Sequence, residues 1–182
     1  LQVRMPSFEY SDEEWNDLIS YFQQKDDLNL TYEDPHNFTM NSSSFKAGER
    51  IAEMGACSNC HFYGEDKPKQ DAITWAPNLT LTKERLRPEW LVEWFVNPQD
   101  VMPGTKMPAP YIPTEEPQNS IREVWGSDVA RISTDSTKLY KSLIDWMWGM
   151  EGRKDVSAIV RRHLNSQGYG FVIEEDDDWG DE

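Results

Sequence analysis

This sequence predicts an all-α fold, on two observations. Apolar residues recur at helical spacing in four stretches: Trp15, Leu18, Ile19 and Phe22; Trp90, Leu91, Trp94 and Phe95; Leu139, Leu143, Ile144 and Met147; Val156, Ile159, Val160 and Leu164. Each set lines one face of a helix with 3.6 residues per turn. The stretches also begin and end on residues that start and stop helices.

In chain order, 1–24 read as a short lead and a helix. Ser11-Asp12-Glu13-Glu14 is a capping box, with Ser11 at the N-cap and Glu14 reaching back. Residues 25–43 hold Pro35 and no sustained period, which reads as a linker, with His36 a solvated loop histidine. A second helix runs from about Ser44 to Met54, capped by Ser43 or Ser44. Gly48 and Ala52 share one of its faces and are small enough for another helix to cross closely; Gly55 ends it. Residues 62–76 read as a loop. Pro88 then opens a short helix at its first position, and Asn97-Pro98 stops it.

A loop rich in proline and glycine follows, from Gln99 to Pro108. Residues 109–134, with Pro110, Pro113 and Pro117, read as irregular, with Tyr111, Ile121, Val124 and Trp125 to bury. A helix from about Asp135 to Met150 comes next, then a shorter amphipathic one over 151–182, which ends in an acidic tail. Glu174 to Asp178 is a like-charge block that reads as disordered.

The 182 residues suit one domain of ordinary size, or a small one with long extensions. A hydrophobic fraction of 37% and a mean hydropathy of −0.77 predict a modest core. No run of about 18 apolar residues occurs, so no membrane-spanning helix is expected. The net charge of −15 argues against a nucleic-acid partner and leaves two readings, protein partners with basic docking patches or a solvated, non-sticky surface. There is no signal peptide and the chain opens on Leu1, which reads as a processed chain or a piece of a longer one.

Cys57-Ser58-Asn59-Cys60-His61 carries the chemistry. Two cysteines two residues apart, followed at once by histidine, form the pattern for covalent attachment of one c-type haem. Two thiols on one turn can each add across a porphyrin vinyl group, and the adjacent His61 can supply the proximal imidazole. A four-cysteine zinc site is excluded because the chain has only two cysteines. No strand–helix context supports a redox CxxC. Attachment of haem c takes place outside the cytoplasm, so the motif implies an exported, periplasmic or outer-face location.

The opposite face of the iron needs a second donor. Met102, Met107, Met147, Met150 and His163 all lie downstream of His61. A residue pointing back at the iron across the haem edge needs extended, rigid backbone, which Pro103-Gly104-Thr105-Lys106-Met107-Pro108 provides. Met107 is therefore the expected ligand, ahead of Met102 and His163, and the helical methionines read as core filler.

The ordered set Cys57-Ser58-Asn59-Cys60-His61, Ala76-Pro77-Asn78-Leu79 and Asn97-Pro98 to Met107 resembles a class I monohaem cytochrome c over about residues 44–150. The resemblance implies small helices wrapped around one covalently bound haem, with Cys57, Cys60, His61, Pro77 and Met107 as the cofactor site and His61 and Met107 on the iron. It implies that Pro77 offers its carbonyl to His61 Nδ1–H, and that Gly48 faces the helix from Leu139 to Met147 at a close crossing. The chain departs from the family at 108–134, an inserted loop between the methionine segment and the last helix, which caps the haem edge, docks a partner or is a plain surface loop.

Arg4-Met5-Pro6 followed by the capped helix Ser11–Phe22 repeats the order of Lys106-Met107-Pro108 and its later helix. Two readings of 1–24 stand: the tail of a preceding cytochrome c domain with Met5 on a neighbouring haem, or an ordinary amphipathic helix. The expected function is electron transfer as a carrier in an exported respiratory or redox chain, not catalysis. The alternatives are a haem module of a larger multisubunit oxidoreductase, docked on a membrane respiratory complex, and a haem-based sensor.

Overall fold

Short-range hydrogen bonding starts the first helix, α1 (Asp12–Lys25). The Ser11 backbone N–H donates to Glu14 Oε2 at 2.8 Å, and the Glu14 N–H donates to Ser11 Oγ at 3.3 Å, a reciprocal capping box. The Ser11 backbone N–H first, and then the Ser11 hydroxyl donating to Glu14 Oε2 at 2.9 Å, hold the Glu14 carboxyl below its ordinary pKa. The structure, a computed structural model, describes residues 9–25 and 36–169. The chain divides into two compact units, Leu1–Asn37 and Phe38–Glu182. In the first, α1 buries no residue, and its apolar stripe stays open at Trp15, Ile19 and Phe22.

The described residues are mostly helical, with no β-strand and only two isolated bridges. In the second unit α2 (Ser43–Met54) starts one residue earlier than expected, because Ser42 rather than Ser43 or Ser44 caps it. The Phe45 N–H donates to Ser42 Oγ at 3.1 Å. Then follow α3 (Thr82–Arg85), α4 (Pro88–Val96), α5 (Pro98–Val101), α6 (Gln118–Val124), α7 (Ser127–Ile132), α8 (Ser136–Trp148) and α9 (Ser157–Ser166). Asp135 caps α8 by accepting from the Lys138 N–H at 3.2 Å. No helix among the described residues is long and apolar enough to cross a membrane.

The core forms where α2 crosses α8. A Cβ built on Gly48 would lie 1.8 Å from the Ser142 carbonyl oxygen and 2.4 Å from its carbon, so the two backbones touch where only glycine fits. Beyond its first turn α8 is buried on nearly every side, from Leu139 and Tyr140 through Ser142 to Trp148. The buried Ser142 hydroxyl bonds back to the Leu139 carbonyl at 2.7 Å, and among the described residues no buried side-chain nitrogen or oxygen lacks a hydrogen-bond partner.

Two segments differ from the sequence reading. Pro98 ends α4 and also opens α5, since a fixed φ near the helical value suits the first helical position. The stretch 109–134 is not irregular throughout: α6 and α7 bury Ile121, Trp125, Val129 and Ala130, and α7 packs on α2. Its prolines lie ahead of the helices, Pro117 at the N-cap of α6, and do not interrupt them. Tyr111 and Val124 stay exposed. The insertion is thus built into the core.

Candidate cofactor site

The Cys57–His61 turn is set by how α2 ends. The Gly55 N–H closes on the Ile51 carbonyl at 2.8 Å, and Ala56 takes a left-handed conformation, φ 52° and ψ 38°, which turns the chain out of the helix. Cys57–Asn59 then form a 3-10 turn. The N–H groups of Cys60 and His61 both donate to the Cys57 carbonyl, at 3.2 and 3.0 Å. Both thiols and the imidazole therefore sit on one tight loop. Neither cysteine is in a disulfide, and Cys57 packs on the core, where burial pushes its thiol up to about 11. Cys60 Sγ lies 3.7 Å from Gln70 Oε1.

The segment Ala76–Leu79 is laid alongside this loop. The Ala76 N–H donates to the Cys60 carbonyl at 2.7 Å and the Leu79 N–H to the Phe62 carbonyl at 3.0 Å. That pairing brings the Pro77 carbonyl to 2.8 Å from His61 Nδ1. A carbonyl only accepts, so Nδ1 carries the proton and Nε2 keeps its lone pair. Burial holds the His61 pKa below its ordinary value, partly offset by the Pro77 contact. The imidazole is a neutral, oriented donor.

Asn78, read in the sequence only as part of the Ala76–Leu79 segment, has a role of its own. It is almost fully buried, and its Oδ1 accepts from the N–H groups of Gly64 at 3.1 Å and Thr80 at 3.3 Å. Its Nδ2 donates to the carbonyls of Gly64 at 3.2 Å and Arg153 at 2.9 Å. It ties the loop after His61 to the connector between α8 and α9, and so holds the neighbouring Pro77 in place. Gly64 and Gly152, both at positive φ, meet at this crossing, with a Cβ on Gly152 only 3.2 Å from the Gly64 Cα. An asparagine opening the 3-10 turn Leu79–Leu81 is a legible signal; bonds to residues 75 positions away are not.

Met107 comes from another loop. Gln99 braces that loop, its Nε2 donating to the Thr105 carbonyl and its Oε1 accepting from the Gly104 N–H at 3.3 Å. Lys106 Nζ donates to the Ile73 carbonyl at 3.2 Å, joining the methionine loop to the one that follows Cys60. Met107 packs against the core and its Sδ accepts from Trp94 Nε1–H at 2.8 Å. Met102, 56% exposed, points to solvent, and Met147 is buried in the core. His163 lies against the Trp75 ring, with centroids 4.7 Å apart.

These residues fit a covalently held, planar apolar group. Leu79, Trp90, Trp94, Met107 and Ile112 pack on the core yet remain partly open. Among the described residues no three or more His, Cys, Asp or Glu side chains gather to hold a bare metal ion. A porphyrin brings four nitrogens of its own and asks only two axial donors of the chain. Two clefts flank the site without holding it. One, of about 350 Å³, lies where α9 faces Phe62, Trp75 and Pro77; the other, of about 430 Å³, is bordered by Glu49, Tyr63, Lys69 and Trp146. Neither is lined by His61 or Met107, and the chemistry of the donor set weighs more than the size of a hollow.

Comparison of the chain with protein families, with curated proteins and with solved structures finds no match.

Proposed function

We propose that this chain transfers single electrons through one haem c, in a cytochrome c fold of the class I type, with His61 and Met107 as its axial ligands. One observation carries the reading: the imidazole that follows Cys-x-x-Cys directly has its Nδ1 at 2.8 Å from the Pro77 carbonyl, which leaves Nε2 free as a metal donor. Cys57 and Cys60 would hold the group, each by adding S–H across a vinyl group, sulfur to one carbon and hydrogen to the other. Bound there, the group supplies reversible one-electron chemistry at iron. Pro77 raises the basicity of His61 by accepting its proton's hydrogen bond. Met107, a soft and neutral thioether, would serve as the second donor and favour the reduced state, a donor set suited to electron transfer rather than to binding a substrate.

The acidic chain suits protein partners with basic patches, reached at a rate that falls as salt rises. Haem c chemistry implies an exported location. A second reading, a haem module of a larger oxidoreductase or respiratory complex, is favoured by the open apolar stripe of α1 at Trp15, Ile19 and Phe22. The sequence repeat that suggests a neighbouring haem domain centres on Met5, which lies outside the described residues.

Expression with a haem c maturation system tests the proposal. The expected product carries one covalent haem that survives denaturing electrophoresis and is lost when Cys57 and Cys60 are both replaced by alanine. Met107→Ala is expected to abolish the thioether-to-iron absorption band of the ferric protein, lower the midpoint potential and admit carbon monoxide to the reduced protein. A chain that emerges without covalent haem refutes the proposal. Co-purification with catalytic or membrane subunits selects the second reading.

A further inference from the structure

Helix α1 repeats α8 position for position along its apolar side. Leu18-Ile19-Ser20-Tyr21-Phe22 matches Leu143-Ile144-Asp145-Trp146-Met147, and an aromatic residue, Trp15 or Tyr140, stands three positions ahead of each run. A Met-Pro pair precedes both helices in the sequence, Met5-Pro6 and Met107-Pro108. We propose that α1 docks into a second haem c domain built like this one, where it takes the place that α8 takes here; this rests on the reading of the chain as a haem c protein.

The two helices share a face and differ in cover. Ile144 is 0% exposed and Ile19 51%. Tyr140, Leu143, Trp146 and Met147 are buried as well, whereas Trp15, Leu18, Tyr21 and Phe22 are all open. A helix of 14 residues that buries nothing is marginal in water, and large apolar side chains along one side are stabilised by leaving it.

The matched positions show what fits over them. In α8, Tyr140 stacks on Phe95 of α4 with centroids 6.3 Å apart and planes 20° from parallel, and Trp146 meets the Tyr63 ring at 5.4 Å. Leu143 stands at the crossing where the backbones of α2 and α8 touch. A face of the same pattern fits the same surroundings: a helix with a small residue at its centre, flanked by aromatic rings. This chain's own α2 and α4 already pack on α8, so the surroundings that α1 calls for are those of another domain. A second α1 does not supply them, because that helix holds no glycine or alanine to let a bulky face approach. Two positions depart from the match. Glu14 and Asp17 stand where α8 buries Leu139 and Ser142, and an unpaired carboxylate is costly to bury, so this flank of α1 stays in water.

The test places a photo-cross-linker on the stripe, Ile19→p-benzoylphenylalanine and separately Phe22→p-benzoylphenylalanine, in the full protein in its native cells. Adducts are mapped by mass spectrometry. Both probes are expected to mark a domain that carries a Cys-x-x-Cys-His motif other than Cys57–His61. The same probe at Gln24, on the opposite side of α1, should miss it, and Ile19→Asp should abolish the adduct from the Phe22 probe. Adducts on a second α1, on residues 38–169 or on a partner without such a motif overturn the inference, as does the absence of adducts from both stripe probes. Haem staining of the same protein after denaturing electrophoresis judges the underlying reading separately. A chain without covalent haem at Cys57 and Cys60 removes both, whereas a haem-loaded chain whose probes miss a second haem domain removes only the docking.

Discussion

Helices α1 and α8 look alike in sequence and live in opposite surroundings. Both start on a capping side chain, Ser11 and Asp135, and both carry apolar residues at i, i+4 spacing. Yet α1 buries nothing, while α8 is buried on nearly all sides beyond its first turn. The difference lies in the neighbour. In α2, Gly48 removes the side chain that would hold a crossing helix away, and α8 comes into backbone contact. An apolar stripe allows a helix to dock; the shape of a partner decides whether it does.

Four changes would break or sharpen that comparison. Gly48→Ala is expected to do the most damage, since its Cβ would sit inside the Ser142 peptide group and cannot be absorbed by a side-chain rotation. A loss of more than about 3 kcal/mol, beyond the usual range of overpacking, should appear as a lower denaturation midpoint. Leu139→Ala, at a fully buried position of α8, should cost about 3 kcal/mol with an unchanged denaturant slope. Leu18→Ala, the same chemistry on α1 at a position 37% exposed, should stay within about 0.5 kcal/mol. Equal costs at the two leucines would end the contrast.

The smallest effect concerns the α1 cap. The Glu14 pKa is lowered by its bonds to Ser11, so its contribution to the helix is present above the unfolded carboxyl value and is lost as pH falls through the folded one. Amide exchange in the first turn of α1 should quicken on acidification over that window. In Glu14→Gln, where the cap stays uncharged throughout, the pH dependence should flatten.

The caps and turns were legible because they are made by residues within four positions of each other. The Ser11–Glu14 box, Pro88 at the start of α4 and the Cys57–His61 turn all belong to this class. The cap of α2 slipped by one because Ser42, Ser43 and Ser44 are chemically equivalent candidates, and only the helix's packing selects among them. Helices α6 and α7 were missed because seven and six residues are too few to show a period, and prolines nearby read as breakers. What makes them helices that matter is the burial of Ile121 and Val129, which no local pattern announces.

At the site the same division holds. The order of residues alone determined that two thiols and an imidazole share one turn, because that turn is closed by bonds within the pentapeptide. It also marked Pro77 and Met107 as candidates. Only the tertiary structure decided that the Pro77 carbonyl faces His61 Nδ1, that Asn78 ties three loops together, and that Trp94 holds the Met107 sulfur. Those contacts join positions from 13 to 75 apart. Their geometry depends on where whole segments come to rest against one another, as when the Ala76 and Leu79 N–H bonds lay Pro77 beside His61, rather than on any residue's own preference.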